Sequence, residues 1–163
     1  MGELNISECR DRAFRHFKMG EYSDAEYFFR CLCHSTPSWE AWYYRGLASK
    51  YQGMLESALY CFYEALPIEQ NEIDDLPIYG PSSYHIGHIN TRLGNRKAAM
   101  EYLRLSMKDY PEYPITYILI ALNMIDFENS AIFDECMNRF RQYSDGIRPK
   151  KESRTYESNP IVS

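Results

Sequence analysis

Small, apolar and turn-forming positions recur along this chain at a shift of 33 residues. Ala13, Gly20, Tyr22, Ala25, Phe29 and Pro37 are echoed by Gly46, Gly53, Leu55, Ala58, Phe62 and Ala65, with Trp42 near the start of the second copy. A third copy carries Gly87, Gly94, Ala99, Leu103 and Pro111. Within each copy the apolar residues keep the 3.6-residue period of an amphipathic helix, are interrupted at a glycine, and resume on a second helix. The pattern predicts helices over Ile6–Lys18, from Ser23-Asp24 to Pro37, and over Ser38–Gln52, Leu55–Leu66, Ser82–Leu93, Arg96–Lys108, Ile115–Phe127 and Ser130–Tyr143. Gly20 permits the left-handed turn that ends the first helix, and Pro37 stops the second because proline cannot continue the hydrogen-bond ladder. Small residues at Ala13, Gly46 and Gly87, and at Ala25, Ala58 and Ala99, mark where paired helices cross closely.

Helix pairs repeating at this period are the signature of tetratricopeptide (TPR) repeats, in which each hairpin stacks on the next. The predicted fold is all-α: a TPR-type right-handed superhelix of antiparallel helix hairpins. It has three repeats, about 6–38, 39–72 and 80–113, and a degenerate C-terminal capping hairpin over 114–143. A cap is expected because the last repeat of a stack would otherwise expose its apolar side. The segment ITYILIALNMI, opening the fourth pair, is apolar nearly all round. Either the last helix covers it or part of it is an oligomer surface. Residues 144–163 lack periodicity and are expected to be disordered.

The rhythm breaks once. From Gly53 to Gly94 is 41 residues, against about 34 in a regular repeat. The surplus lies in Pro67–Gly80, PIEQNEIDDLPIYG, and reads as an extended, solvated loop. The alternative is a strap whose Leu76-Pro77-Ile78-Tyr79 folds over a neighbouring surface or a partner.

Length and charge narrow the function classes. The 163 residues suit one domain. A net charge of −5, with no Lys/Arg-rich run before residue 148, argues against nucleic acid as a partner. No apolar run approaches the roughly 18 residues of a membrane span, and MGELNISECRDR lacks the apolar core of a signal peptide. Five cysteines without a C-x-x-C pair suggest reduced thiols and a cytoplasmic setting. His85 and His88 stand i, i+3 without a third ligand at helical spacing, and Asp74-Asp75 sit among other acids. No nucleotide-binding, nucleophile-elbow or zinc-protease motif occurs. The reading is therefore of a non-enzyme with neither cofactor nor metal.

The aromatic residues are the stronger sign. In such stacks the first helix of each hairpin lines the concave face. By register that face receives Arg10, Phe14, Phe17 and Lys18, then Tyr43, Leu47, Lys50 and Tyr51, then Tyr84, His88, Thr91 and Arg92. Phe14 and Leu47 have core packing as their alternative. Rings with polar tips offer wide contact at low entropic cost, which suits an extended apolar peptide. The carboxylate clamp by which some TPR stacks hold acidic tails would fall on Arg10, Phe14, Tyr44, Pro81 and His85. Only Arg10 could serve there, so a more apolar ligand is expected.

The segment Ala13–Gln52 carries a more specific pattern: Ala13-Phe14-x-x-Phe17-x-x-Gly20, Asp24-Ala25-Glu26-x-Phe28-Phe29-Arg30-x-Leu32-Cys33, and Gly46-Leu47-Ala48 with Tyr51-Gln52. It resembles the class II (translocator) chaperones of bacterial type III secretion systems, over roughly residues 9–111. The resemblance implies a cytoplasmic, virulence-associated chaperone. Its concave groove would hold an extended apolar segment of a secreted translocator-type protein, keeping it soluble before export, with Phe14, Phe17, Tyr43, Leu47 and Tyr51 as pocket residues. A homodimer is compatible with that family. A TPR scaffold or adaptor subunit of a larger assembly is the alternative.

Overall fold

The computed structural model describes residues 5–73, 75–124 and 130–147. Eight α-helices follow one another among them, with no strand: α1 (Ile6–Met19), α2 (Tyr22–Ser35), α3 (Trp39–Tyr51), α4 (Leu55–Glu72), α5 (Ser82–Arg92), α6 (Arg96–Asp109), α7 (Ile115–Met124) and α8 (Ser130–Ile147). Each helix packs on its neighbours in chain order, α1 on α2, α2 on α3 and so on to α8, and α5 also touches α7. The result is a linear stack of four antiparallel hairpins.

Local signals set the hairpin phase. Asn5 caps α1, its Oδ1 accepting from the Ser7 N–H at 2.7 Å. Gly20 ends the helix in the left-handed region at φ 77°, and the Glu21 N–H returns to the His16 carbonyl at 2.9 Å. Gly53 and Gly94 repeat this at φ 78° and 76°, with Met54 bonding back to Ser49 and Asn95 to Asn90. A Cβ at any of the three would meet nothing within 4 Å. These glycines serve backbone conformation rather than space.

Gly46 and Gly87 serve the opposite purpose. A Cβ on Gly46 would lie 3.0 Å from the Phe62 ring, and one on Gly87 would lie 2.6 Å from Leu103. Each hairpin thus sets a small residue on its first helix against a large one on its second. The pairs Gly46–Phe62 and Gly87–Leu103 share the sequence spacing of Ala13 and Phe29, both fully buried in the same core. That core runs from α1 to α5, and a second cluster built on Tyr84, Leu103, Tyr117 and Ile120 continues it to α8.

The structure corrects the reading of Pro67–Gly80. Helix α4 passes through Pro67 and ends at Glu72, six residues beyond the expected stop at Leu66. A proline inside a helix removes one ladder bond and costs about 3 kcal/mol. Pro67 and Tyr63, whose carbonyl loses its partner, both face solvent, so water can satisfy the freed group. The extension is held by Glu69, fully buried between three helices. Its carboxylate accepts from the indole N–H of Trp39 at 3.1 Å and from the backbone N–H of Ser82 at 3.0 Å, as well as from the Ser82 hydroxyl. Pro81, the N-cap of α5, offers no side-chain cap; Glu69 supplies one from α4 and places a carboxylate at a helix N-terminus.

At the far end, α7 buries Tyr117, Ile120 and Ala121 and joins its neighbours through Ser106–Thr116 (3.0 Å) and Asn123–Thr91 (2.8 Å). Tyr143 of α8 stacks on Tyr117 with ring centroids 5.9 Å apart. The covering is incomplete, because Ile115 and Leu122 remain exposed. Helix α8 continues to Ile147, so 144–147 are helical rather than disordered. The predicted turn at Glu128-Asn129, the end of the seventh helix at Phe127, and 148–163 lie outside the described residues.

Candidate peptide-binding site

A contiguous set of aromatic rings joins the first hairpin to α3. Phe14 and Phe17 of α1 meet Tyr44 of α3 edge-on, with centroids 4.8 and 5.3 Å apart. Phe17 also lies 6.1 Å from Tyr51, which packs at 4.8 Å on Tyr22 at the start of α2. Edge-to-face geometry sets the positive edge of one ring on the negative face of the next, so the cluster is ordered without being closed. Phe17 is its floor at 7% exposure, and Tyr51 its rim at 46%. Beside it lies a pocket of about 280 Å³ lined by Phe14, Phe29, Leu32 and Ala41. A salt bridge of 2.6 Å between Arg10 and Glu40 ties α1 to α3 at its edge.

Beyond the rings the surface turns basic. Lys50 sits 5.7 Å from the centre of the Tyr84 ring, and its field together with that of Arg92 reaches His88. Burial, then Arg92, lowers the Lys50 pKa to about 8. Its ammonium stands 3.0 Å from Nδ1 of the fully buried His85. Lysine can only donate, so Nδ1 accepts and the His85 proton resides on Nε2. That nitrogen faces the Tyr43 hydroxyl at 3.5 Å, and Tyr43 donates in turn to the Gly80 carbonyl at 2.6 Å. Lys50, His85 and Tyr43 thus form one directed chain from solvent to the backbone of the 73–81 connection. An aromatic patch ending in a cationic corner can hold an extended apolar segment and a neighbouring carboxylate.

Not every expected residue lines this surface. Tyr43 is 1% exposed and Leu47 fully buried. Tyr43 stacks on Trp39 at 4.8 Å and abuts Phe62, so both residues are core supports rather than pocket walls. Tyr84 is covered by Tyr113, 4.9 Å away. Arg10, Lys18, Tyr51 and Arg92 are exposed; Phe14, Lys50, His88 and Thr91 are partly so. Sequence reasoning missed Tyr22 and Tyr44 as members of this site and reached Tyr79 only through the strap alternative. Tyr44 had already emerged in the clamp comparison, and the run of aromatics at 42–44 was the available signal. His85 and His88 do not form a ligand pair; burial first, then Lys50, lowers both pKa values, that of His88 to about 4. Among the described residues His16, Glu21 and Asp24 bring ligand atoms within 4.8 Å of one another, in an exposed turn where His16 is already paired with Glu21.

The two histidines make stability pH-dependent. An unfolded chain protonates them near pH 6.5, whereas the folded one holds His88 neutral until about 4 and His85 likewise well below 6.5. The unfolded state therefore binds more protons in that window. Each histidine leaves stability intact above 6.5 and removes up to about 1.4 kcal/mol per pH unit as pH falls towards 4. Glu69, its pKa raised mainly by burial, acts in the opposite sense and offsets part of the loss. We expect the urea midpoint to drop between pH 7 and 5, and the drop to be shallower in His88→Gln; a flat profile would contradict this assignment.

The fold is an all-α TPR-type stack of helix hairpins that carries a cluster of aromatic rings. No family model matches the sequence, and no curated protein matches it. Among solved structures, MamA 41-end from Desulfovibrio magneticus RS-1 superposes with a TM-score of 0.71 at 20% identity, over 89% of this chain and 78% of that one. PcrH in complex with the chaperone binding region of PopD gives 0.57 at 17%, over 85% and 96%. PcrH from Pseudomonas aeruginosa gives 0.55 at 16%, over 84% and 95%. At these identities the likeness shows the fold. No helix among the described residues is long and apolar enough to cross a membrane.

Proposed function

We propose that this protein is a non-enzymatic chaperone that holds an extended apolar segment of a secreted, translocator-type protein and keeps it soluble in the cytoplasm before type III export. The observation that carries the reading is the ring cluster of Phe14, Phe17, Tyr22, Tyr44 and Tyr51, ordered by edge contacts yet open at Tyr51. Lys50 and Arg92 beside it favour a client with an acidic residue next to its apolar anchor. The shared fold with PcrH, solved with the chaperone binding region of PopD, supports the assignment.

The test is co-expression with secreted proteins encoded nearby, followed by purification. A stable complex is expected with one of them, and Tyr44→Glu plus Tyr51→Glu should weaken it at least about 100-fold, since charge on an aromatic anchor removes a hot spot. Circular dichroism must show both variants folded. Tyr43 is unsuitable here because a charge at that buried site would unfold the chain. A complex that survives both substitutions removes the groove from consideration.

A second reading is favoured by exposed Ile115 and Leu122 on α7, with Phe133 on α8. These would suit a scaffold subunit or a homodimer. Light scattering on the purified chain separates a client-free monomer from a dimer or an assembly-dependent subunit.

A further inference from the structure

Between α4 and α5, Tyr79 reaches the ring cluster while Ile78 beside it is open to solvent. Tyr79 sets its ring against Phe17 at 6.0 Å and Tyr44 at 6.3 Å, both edge-on. These partners lie far away in sequence, on α1 and α3. We propose that residues 75–80 are an intramolecular ligand of the groove, that Tyr79 marks a subsite for an aromatic side chain, and that a client binds by displacing it with an aromatic residue of its own. The proposal rests on the groove reading above and adds the identity of the anchor.

Three features fit a displaceable occupant. First, the segment is held unevenly. It is fixed on both sides of the tip: Pro77 and Gly80 are buried and Tyr43 donates to the Gly80 carbonyl. Its tip is loose, with Ile78 87% exposed and Tyr79 42% exposed. Second, Gly80 N–H bonds to the Pro77 carbonyl at 2.8 Å, closing a tight turn that presents Tyr79, and Gly80 stands at φ 91°. The positive φ, which glycine adopts without a steric penalty, is what lets this turn close with Gly80 packed against Tyr113. Third, the Tyr79 side chain contacts Phe17 and Tyr44 by ring edges alone, while the backbone grip, His85 on Tyr79 and Tyr43 on the Gly80 carbonyl, falls on groups that any extended peptide possesses. The tip can therefore leave without breaking the anchor, and the surface it vacates is apolar, aromatic and ready-made. A groove occupied in this way binds its client with an affinity reduced by the fraction of molecules whose tip is already released.

The test uses a fluorescein-labelled seven-residue peptide of the strap sequence, DLPIYGP, added to the full chain and followed by anisotropy. Tyr79→Ala should bind it about tenfold more tightly than the unmodified chain, the equilibrium worth of two edge-on ring contacts. Tyr79→Phe should behave like the unmodified chain, and a peptide with alanine in place of its tyrosine should bind neither. Equal affinity for the unmodified chain and Tyr79→Ala, or no binding to Tyr79→Ala while it remains folded by circular dichroism, overturns the proposal. So does a dimer of the unmodified chain that Tyr79→Ala makes monomeric, since the strap would then act between copies. The client arm separates this from the groove reading. A client bound equally by both chains sinks the strap alone, whereas a strap peptide bound as expected with no client captured leaves the subsite standing and sinks the chaperone reading.

Discussion

Phe62→Ala should lower the unfolding free energy by about 3–5 kcal/mol, the range for emptying a buried aromatic site. Phe62 is fully buried at the junction of the second and third hairpins. Its ring stacks on His85 at 4.6 Å and meets Tyr43 at 5.9 Å, and it fills the space left by Gly46. Gly46 has no side chain with which to follow the receding wall, and the helix backbone it belongs to is held by its own ladder. The cavity therefore cannot collapse. It also removes the ring that shields neutral His85, so burial depresses the His85 pKa less and the acid sensitivity described above should become shallower. Domains of this size are stable by about 5–15 kcal/mol in all, so the variant should fold but with a markedly lower urea midpoint. A loss below about 1 kcal/mol would mean that the hairpins do not meet at Phe62.

Glu69→Ala should cost about 3 kcal/mol, by a different route. Three donors converge on this carboxylate: Ser82 N–H, the Ser82 hydroxyl and the Trp39 indole. Removing the acceptor strands them in a dry site, and each buried group left without a partner costs about 1–3 kcal/mol. Water entering the space vacated will recover part of it. Glu69→Gln should cost less, because one oxygen remains to accept while its amide must face donors. Denaturant midpoints give the total. Hydrogen exchange gives the location: the last turn of α4 and the first of α5 should open while α1 and α2 stay protected. Uniform loss of protection would show that Glu69 supports the whole stack rather than this joint.

The joint also separates what local rules can and cannot reveal. Proline at position 67 predicts a helix end on every local criterion, and the structure overrides it through Glu69, whose partners Trp39 and Ser82 lie thirty residues before it and thirteen after it. The same holds for the site. Helix α3 is aromatic on more than one face, and packing between α2 and α4 buries Tyr43 while leaving Tyr44 half open. Helical period places adjacent tyrosines about 100° apart but does not say which will meet solvent. Phe14, Phe17 and Tyr51 fell on the ring cluster as the register implied; Tyr43 and Leu47 did not. The strap was visible as an alternative only because Leu76, Ile78 and Tyr79 are apolar beside a run of acids.

By itself the sequence determined the hairpins: their number, their phase and the small residues at each crossing. Those depend on a left-handed glycine, a cap or a proline within a few residues, and on spacings that repeat because the unit repeats. Only the tertiary structure decided how far α4 runs, which rings remain accessible, and where residues 75–81 lie. Each of those is settled by a contact between segments far apart in the chain, and the free energy of such a contact belongs to neither segment alone.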